Sequence, residues 1–427
     1  MKKVLAVILA LVTLQSNGQL TKVEKKIIKN VKSEMPQTMK LLEQLVNINS
    51  GTLNIEGVRK TGDVLRKEFD KIGFTTEWVS LPDSLKRAGH LVAYRHGKKG
   101  KKLFLIGHLD TVFEPDMPSN PYKVLNDSTA TGQGISDMKG GDMVILAALR
   151  ALNKLKLLNH ATITAYFTGD EEKSGSPVSV SRADFIKRAR QLDIALAFEG
   201  AGGLTSVAAA RRGSSGWQLN VVGKQAHSSG VFNVGYGAIY EASRIVNEFR
   251  EQLSKEKYLT FNPGIFVGGS EMNFDSAAIQ AQVSGKTNII SPSAFVQGDL
   301  RFLTEVQKEA ARDKMRLITQ SNNLGGTQAA ITFVDGIPAM EPTKQNDQLV
   351  QILSKVSIDM GVGRVRAGDP GSRGAGDISY VAKYVAGLDG LGASGTGSHA
   401  PGETINLKEF PVLIQRTALF IYRLTKK

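Results

Sequence analysis

From residue 91 onward, short apolar runs alternate with a helical pattern: LVAYR, KLFLIGH, DMVILAALRALNKL, ATITAYFTG and DIALAFEG. Parallel strands cannot be joined by tight turns and need crossover connections, usually helical, so strands spaced in this way predict a mainly parallel sheet covered on both faces. That is an α/β domain, preceded by a charged amphipathic helix over 22–46. From about Ser214 the pattern changes. WQLNVVG, a helix over 238–253, FNPGIFVGG, SAFVQGDLRF, a helix over 304–320 and AAITFVDG follow in the β-α-β-β-α-β order of a ferredoxin-like α+β unit. The expected organisation is an α/β domain in two pieces, 20–213 and 336–427, with a second domain inserted over 214–335.

A chain of 427 residues is long enough for two cores, and 41% hydrophobic with 22% charged residues is an ordinary globular balance. With no cysteine, any metal must sit on carboxylate oxygen and imidazole nitrogen. The net charge of +14 comes from lysines scattered through helices and short loops such as HGKKGKK, without a basic run interleaved with aromatics. A nucleic-acid partner is therefore not expected. The opening MKKVLAVILALVTLQSNGQL has two lysines, a short apolar run and a small polar stretch, the layout of a secretory signal peptide over 1–19. The run is too short for a convincing membrane span. A secreted or periplasmic mature chain, with no stable membrane insertion, is the expectation.

Every strand of the α/β domain delivers acids or histidine at its end. KLFLIG leads into His108 and Asp110, ATITAYFTG into Asp170, Glu171 and Glu172, and DIALAF into Glu199, while Asp137 lies in the Gly-rich turn GQGISDMKGG before a helix. Ligands of open α/β sheets bind outside the carboxyl ends of the strands, so these groups share one crevice. Carboxylates crowded together resist joint ionisation, and a pair of divalent cations removes the conflict. A further histidine, His399, sits in GTGSHAPGETIN. Each residue also has a plain structural role open to it: a capped core histidine for His108, a solvated helix start for Glu171 and Glu172, a turn cap for Glu199, a helix N-cap for Asp137.

Taken together, GHLDTV, GQGISDMKGG, FTGDEEKSG, AFEGA, GKQAHSSG, TNIISP and GSHAPGE resemble, in order and spacing, the motifs of the di-zinc aminoacylase/carboxypeptidase family, which includes glutamate carboxypeptidase, acetylornithine deacetylase and succinyl-diaminopimelate desuccinylase. The resemblance implies a zinc-peptidase-type domain with an inserted lid and dimerisation domain, and two zinc ions per chain. His108, Asp137, Glu172, Glu199 and His399 would be the ligands, with Asp137 bridging. Asp110 would accept the spare N–H of His108, and Glu171 would be the general base. His227, in GKQAHSSG, would come from the lid of a partner subunit to stabilise the oxyanion.

For substrate contact the family's lid positions match Asn288 and Arg301. The family also implies a peptide or N-acyl amino acid substrate, cut beside a free carboxylate. N-acyl amino acid deacylase, dipeptidase and non-catalytic binding protein are the competing readings, the last opposed by an intact Glu171. Glutamate-cleaving relatives grip the substrate carboxylate with an arginine in a Gly-Arg-Pro stretch after the insert, where this chain has Gly336-Ile337-Pro338. Arg211, Arg212 and Arg373 are the remaining cationic candidates, each equally suited to a structural ion pair.

Overall fold

The computed structural model describes residues 19–275 and 279–426. The expected export signal lies, except for its last residue, outside the described residues. Helix α1 (Lys22–Val46) begins at Thr21, whose hydroxyl accepts the Glu24 N–H while the Glu24 carboxylate returns to the Thr21 N–H. This reciprocal pair satisfies donors that a helix start leaves open. Helix α2 (Ile55–Lys71), strands β1 (Thr75–Val79), β2 (His90–Arg95) and β3 (Lys99–His108), helix α3 (Lys139–Asn153), and strands β4 (Ala161–Thr168) and β5 (Ile194–Ala197) follow.

The inserted unit then runs β6 (Gly213–Gly223), α4 (Ala238–Leu253), β7 (Thr260–Gly269), β8 (Ser293–Phe302), α5 (Glu305–Gln320) and β9 (Thr327–Asp335). The chain returns through α6 (Lys344–Asp359), β10 (Ala386–Leu388) and α7 (Phe410–Thr425).

The first sheet has the order β1-β2-β4-β3-β5-β10. Its β4-β3, β3-β5 and β5-β10 pairings are parallel, whereas β1 and β2 join antiparallel at one edge. Along β3, Leu103 and Leu105 enter one core cluster with α1, α3 and α7, while Phe104 and Ile106 enter another with Tyr166, Phe185 and Ile378. Side chains of a strand alternate between faces, so an unbroken apolar run is the mark of a sheet covered twice.

In the insert, the order β7-β8-β6-β9 is antiparallel throughout, and α4 and α5 pack on one face against Trp217, Leu219 and Val221. The other face is open, with Val222 and Val334 exposed. A hairpin of Glu271–Asp275 and Gln280–Ser284, absent from the sequence reading, lies between β7 and β8. Two backbone segments cross between the units side by side: Arg211 and Met340 exchange hydrogen bonds of 2.9 and 3.0 Å, and the Ser214 N–H reaches the Ile337 carbonyl at 2.8 Å.

Candidate metal centre

Strands β3 and β4 end at His108 and Thr168, and β5 ends two residues before Glu199, so parallel pairing brings these loops to one edge of the sheet. Asp137 and His399 arrive from a small antiparallel sheet built of Gly395–Thr396, Thr404–Asn406, Thr129–Thr131 and Lys123–Asn126. His399 lies in the hairpin between the first two of these, with a left-handed φ of 65°, and Asp137 lies in the turn after Thr129–Thr131. Glu403 ties hairpin to turn. Its buried carboxylate accepts the N–H groups of Gly134 (2.9 Å), Ser136 (2.7 Å) and Asp137 (2.8 Å) and the Ser136 hydroxyl (2.9 Å).

The side chains form two groups that share Asp137. On one side, His108 Nε2 stands 3.3 Å from Asp137 Oδ1 and 3.7 Å from Glu199 Oε1. On the other, His399 Nε2 stands 3.2 Å from both Asp137 Oδ2 and Glu172 Oε2. Ligands held about 2.1 Å from a tetrahedral ion are roughly 3.4 Å from one another, which is close to the distance of each imidazole nitrogen from its two carboxylates. The second oxygen of Glu172 is buried without a hydrogen-bond partner. The donor set, imidazole nitrogen with carboxylate oxygen, fits zinc and similar divalent ions.

Protons alone balance these charges poorly. Burial foremost, then the neighbouring Asp137, pushes the Glu199 carboxyl well above its ordinary pKa. Burial also raises Glu171 to about 8, with Asp377, Glu172 and Asp110 adding to it against the pull of His108. Asp137 goes the other way: burial pushes it up, but hydrogen bonds from His108 and His399 outweigh that and hold it below the carboxylate range. His399 is raised to about 11, chiefly by its hydrogen bonds to Asp137 and Glu172.

The match to known proteins decides the family. The model of Peptidase family M20/M25/M40 matches residues 104–423. The chain belongs to that family. Carboxypeptidase G2 of Pseudomonas sp. (strain RS-16) is 29% identical to it over 395 residues, 91% of this chain and 89% of the relative. The crystal structure of aminopeptidase PepT from Bacillus cereus superposes with a TM-score of 0.73 at 18% identity, covering 93% of this chain and 99% of that one. A Bacillus subtilis structure described as a dinuclear metal binding peptidase from M20 family gives 0.66 at 15% identity, over 92% and 99%. The chain is thus a metallopeptidase of the family that its motifs resemble.

Asp110 of this M20 peptidase meets the spare ring nitrogen of His108 mainly through its backbone. The His108 Nδ1 is 2.9 Å from the main-chain carbonyl of Asp110, whereas the carboxylate is 3.6 Å away. That carboxylate instead accepts the N–H groups of Glu171 (3.0 Å) and Glu172 (3.1 Å) and the Thr52 hydroxyl (2.6 Å). It anchors the backbone of the acidic pair. The neighbouring side chains diverge: Glu172 points to His399, while Glu171 lies close enough to His108 and Glu199 for its charge to act on both.

Behind the acidic pair lies a buried network that the sequence reading missed. The Arg182 guanidinium binds Asp170 (2.5 Å) and Asp377 (2.7 Å); Thr168 donates to Asp377, and Ser181 and the Gly175 N–H donate to Asp170. Asp170, unused at the metal groups, was the one available signal.

The substrate-contact candidates of the peptidase fall in three places. His227 and Asn288 are exposed neighbours in the insert: the Ser228 N–H donates to the Asn288 carbonyl at 2.9 Å, and among the described residues the His227 ring bonds only to Ser229. Neither has a hydrogen bond or ion pair with the metal groups within one chain. Arg301 is half-exposed and paired with Asp299 at 2.6 Å, while Arg212 donates to Thr260, the register partner of Arg301, at 3.0 Å. Arg373 donates to the Gly200 carbonyl at 2.5 Å, next to Glu199. Arg211 is largely buried and committed to Asp389 and to the carbonyls of Gly374 and Ala375, so it is a structural ion pair.

Proposed function

We propose that this peptidase is an exported, homodimeric di-zinc hydrolase that cleaves an amide bond beside a free carboxylate, with a broad or apolar-leaning side-chain preference. The observation that carries the reading is Asp137, whose two oxygens face two separate imidazoles, each completed by its own glutamate. His108, Asp137 and Glu199 would hold one ion, and His399, Asp137 and Glu172 the other. A bound pair of such ions supplies a Lewis acid for the scissile carbonyl and water with a pKa near 7.

The chain's own residues do the rest. Glu171, anchored through its N–H by Asp110, takes a proton from the attacking water and delivers it to the departing amine nitrogen. Asp110 and Thr52 hold the loop still during that transfer. Arg301 and Arg212 offer guanidinium groups to the substrate carboxylate, and Arg373 steadies the segment after Glu199. His227 and Asn288 would complete the site from a partner subunit, since within one chain they have no hydrogen bond or ion pair to it. The name of the relative carboxypeptidase G2 supports a carboxypeptidase reading. Ile337, in place of a clamp arginine, argues against strict glutamate specificity, because losing a bidentate guanidinium contact removes a charge-assisted pair from recognition.

The test is steady-state kinetics of the zinc-loaded enzyme on matched substrates ending in glutamate, leucine or alanine. Hydrolysis with no residue preferred by more than about a hundredfold is expected. A larger preference for glutamate would overturn the specificity, and no hydrolysis of any of them with both ions bound would overturn the reaction.

A further inference from the structure

A cleft of ≈ 490 Å³ opens beside the crossing between the two units, a size that suits a small organic ligand. Its apolar lining comes from both: Phe302 from the insert, Ile337, Pro338 and Ala339 from the crossing segment, and Ala382 from the α/β domain. Phe302 belongs to the helix-covered core of the insert, so the cleft lies on the opposite face of β8 from Arg301. None of the residues lining it belongs to the two metal groups.

The polar groups are not evenly matched. Lys308 is already shared between Glu305 (2.6 Å) and Asp335 (3.2 Å), and the Glu341 carboxylate accepts the Glu305 N–H at 2.9 Å. Also lining the cleft, Ser379 is 2% exposed and its hydroxyl has no hydrogen-bond partner among the described residues. Lys383, exposed and four residues further on, lies over the Tyr384 ring at 4.9 Å and hydrogen-bonds that side chain, with no ion pair to a carboxylate among the described residues. A buried hydroxyl without a partner is costly unless something fills its need. The exposed Lys383 ammonium lining the same cleft favours an anion, and the apolar lining favours a hydrophobic body.

We propose that this cleft binds a small carboxylate with an apolar body, its carboxylate between Ser379 and Lys383 and its apolar part against Phe302, Pro338 and Ala382. Because the two walls belong to different units, an occupant joins them across the crossing. The site is separate from the metal centre, and its occupancy does not depend on the reaction proposed above.

Calorimetric titration of the metal-loaded enzyme with 3-phenylpropionate and with L-phenylalanine tests it, with L-phenylalaninamide, which lacks the carboxylate, as the comparison. Saturable binding of the two carboxylates is expected, weakened at least about tenfold in the amide and in two variants, Ala382→Trp, which fills the cleft, and Lys383→Glu, which repels the carboxylate at an exposed position. Should Ala382→Trp fail to fold, Lys383→Glu carries the test alone. Absence of saturable binding overturns the site. So does binding that survives both variants, or competes with a hydrolysable substrate, because that places the ligand at the metal centre.

Discussion

Asp110 shows how a single carboxylate can support a candidate metal centre through the backbone of the loop that carries its acids. One of its oxygens holds the Glu171 N–H, and the other holds the Glu172 N–H and the Thr52 hydroxyl. An asparagine has one acceptor where the carboxylate has two, and its amide N–H₂ would face a backbone N–H. Asp110→Asn is therefore expected to lower kcat about 10–100-fold, the usual effect of a residue that orients ligands, and to weaken the ion of the Glu172 group. Plasma emission analysis with steady-state kinetics measures both; unchanged kcat with two ions retained would remove the anchoring role. The acids and histidines of the two metal groups were legible because each stands at the end of an apolar run or in a Gly-rich turn. The partner of Asp110 was not legible, since it depends on how loop 169–172 folds back, and neither was Glu403, whose backbone partners are 266 to 269 residues away.

At the scale of elements, the buried network around Arg182 joins the end of β4 to the turn at Asp377, and His90 on β2 closes it. The Gly169 N–H donates to His90 Nδ1 at 3.2 Å, so the ring is neutral there and its Nε2 donates to the Ser181 carbonyl at 3.0 Å. Burial, with the nearby Arg182 charge adding to it, lowers the His90 pKa. The unfolded chain then binds a proton that the folded one refuses, so this contribution costs stability as pH falls below the ordinary histidine value of about 6.5. Between pH 8 and pH 5.5 the wild-type protein should lose more melting temperature than His90→Gln does, as followed by circular dichroism; equal losses would show that His90 is not the source. The strands of this region were readable because both their faces are apolar. Helix α2 and strand β1 were not. The first buries one stripe in which Val58, Leu65 and Phe69 are interleaved with Gly57, Thr61 and Gly62, so its apolar signal is thin, and the second, TTEWV, is an edge strand with no fully buried residue.

The whole molecule places His227 and Asn288 on an exposed part of the insert, without a hydrogen bond or ion pair to the metal groups of their own chain. If two chains complete one another's sites through an isologous interface, mixing the inactive variants His227→Ala and Glu171→Gln under subunit exchange should restore part of the activity, since one mixed site carries neither change. A monomer in sedimentation that remains fully active would end the idea. The α/β domain has a different dependence on completeness. Its sheet is finished by β10, its second imidazole is His399, and Glu403 reaches back to shape the turn that presents Asp137. During synthesis, a chain that has emerged only as far as the insert carries His108 and Glu199 but neither His399 nor the brace on the Asp137 turn. Such a nascent chain has only one of the two metal groups' imidazoles, and the site stays incomplete until residues 399–403 have been made.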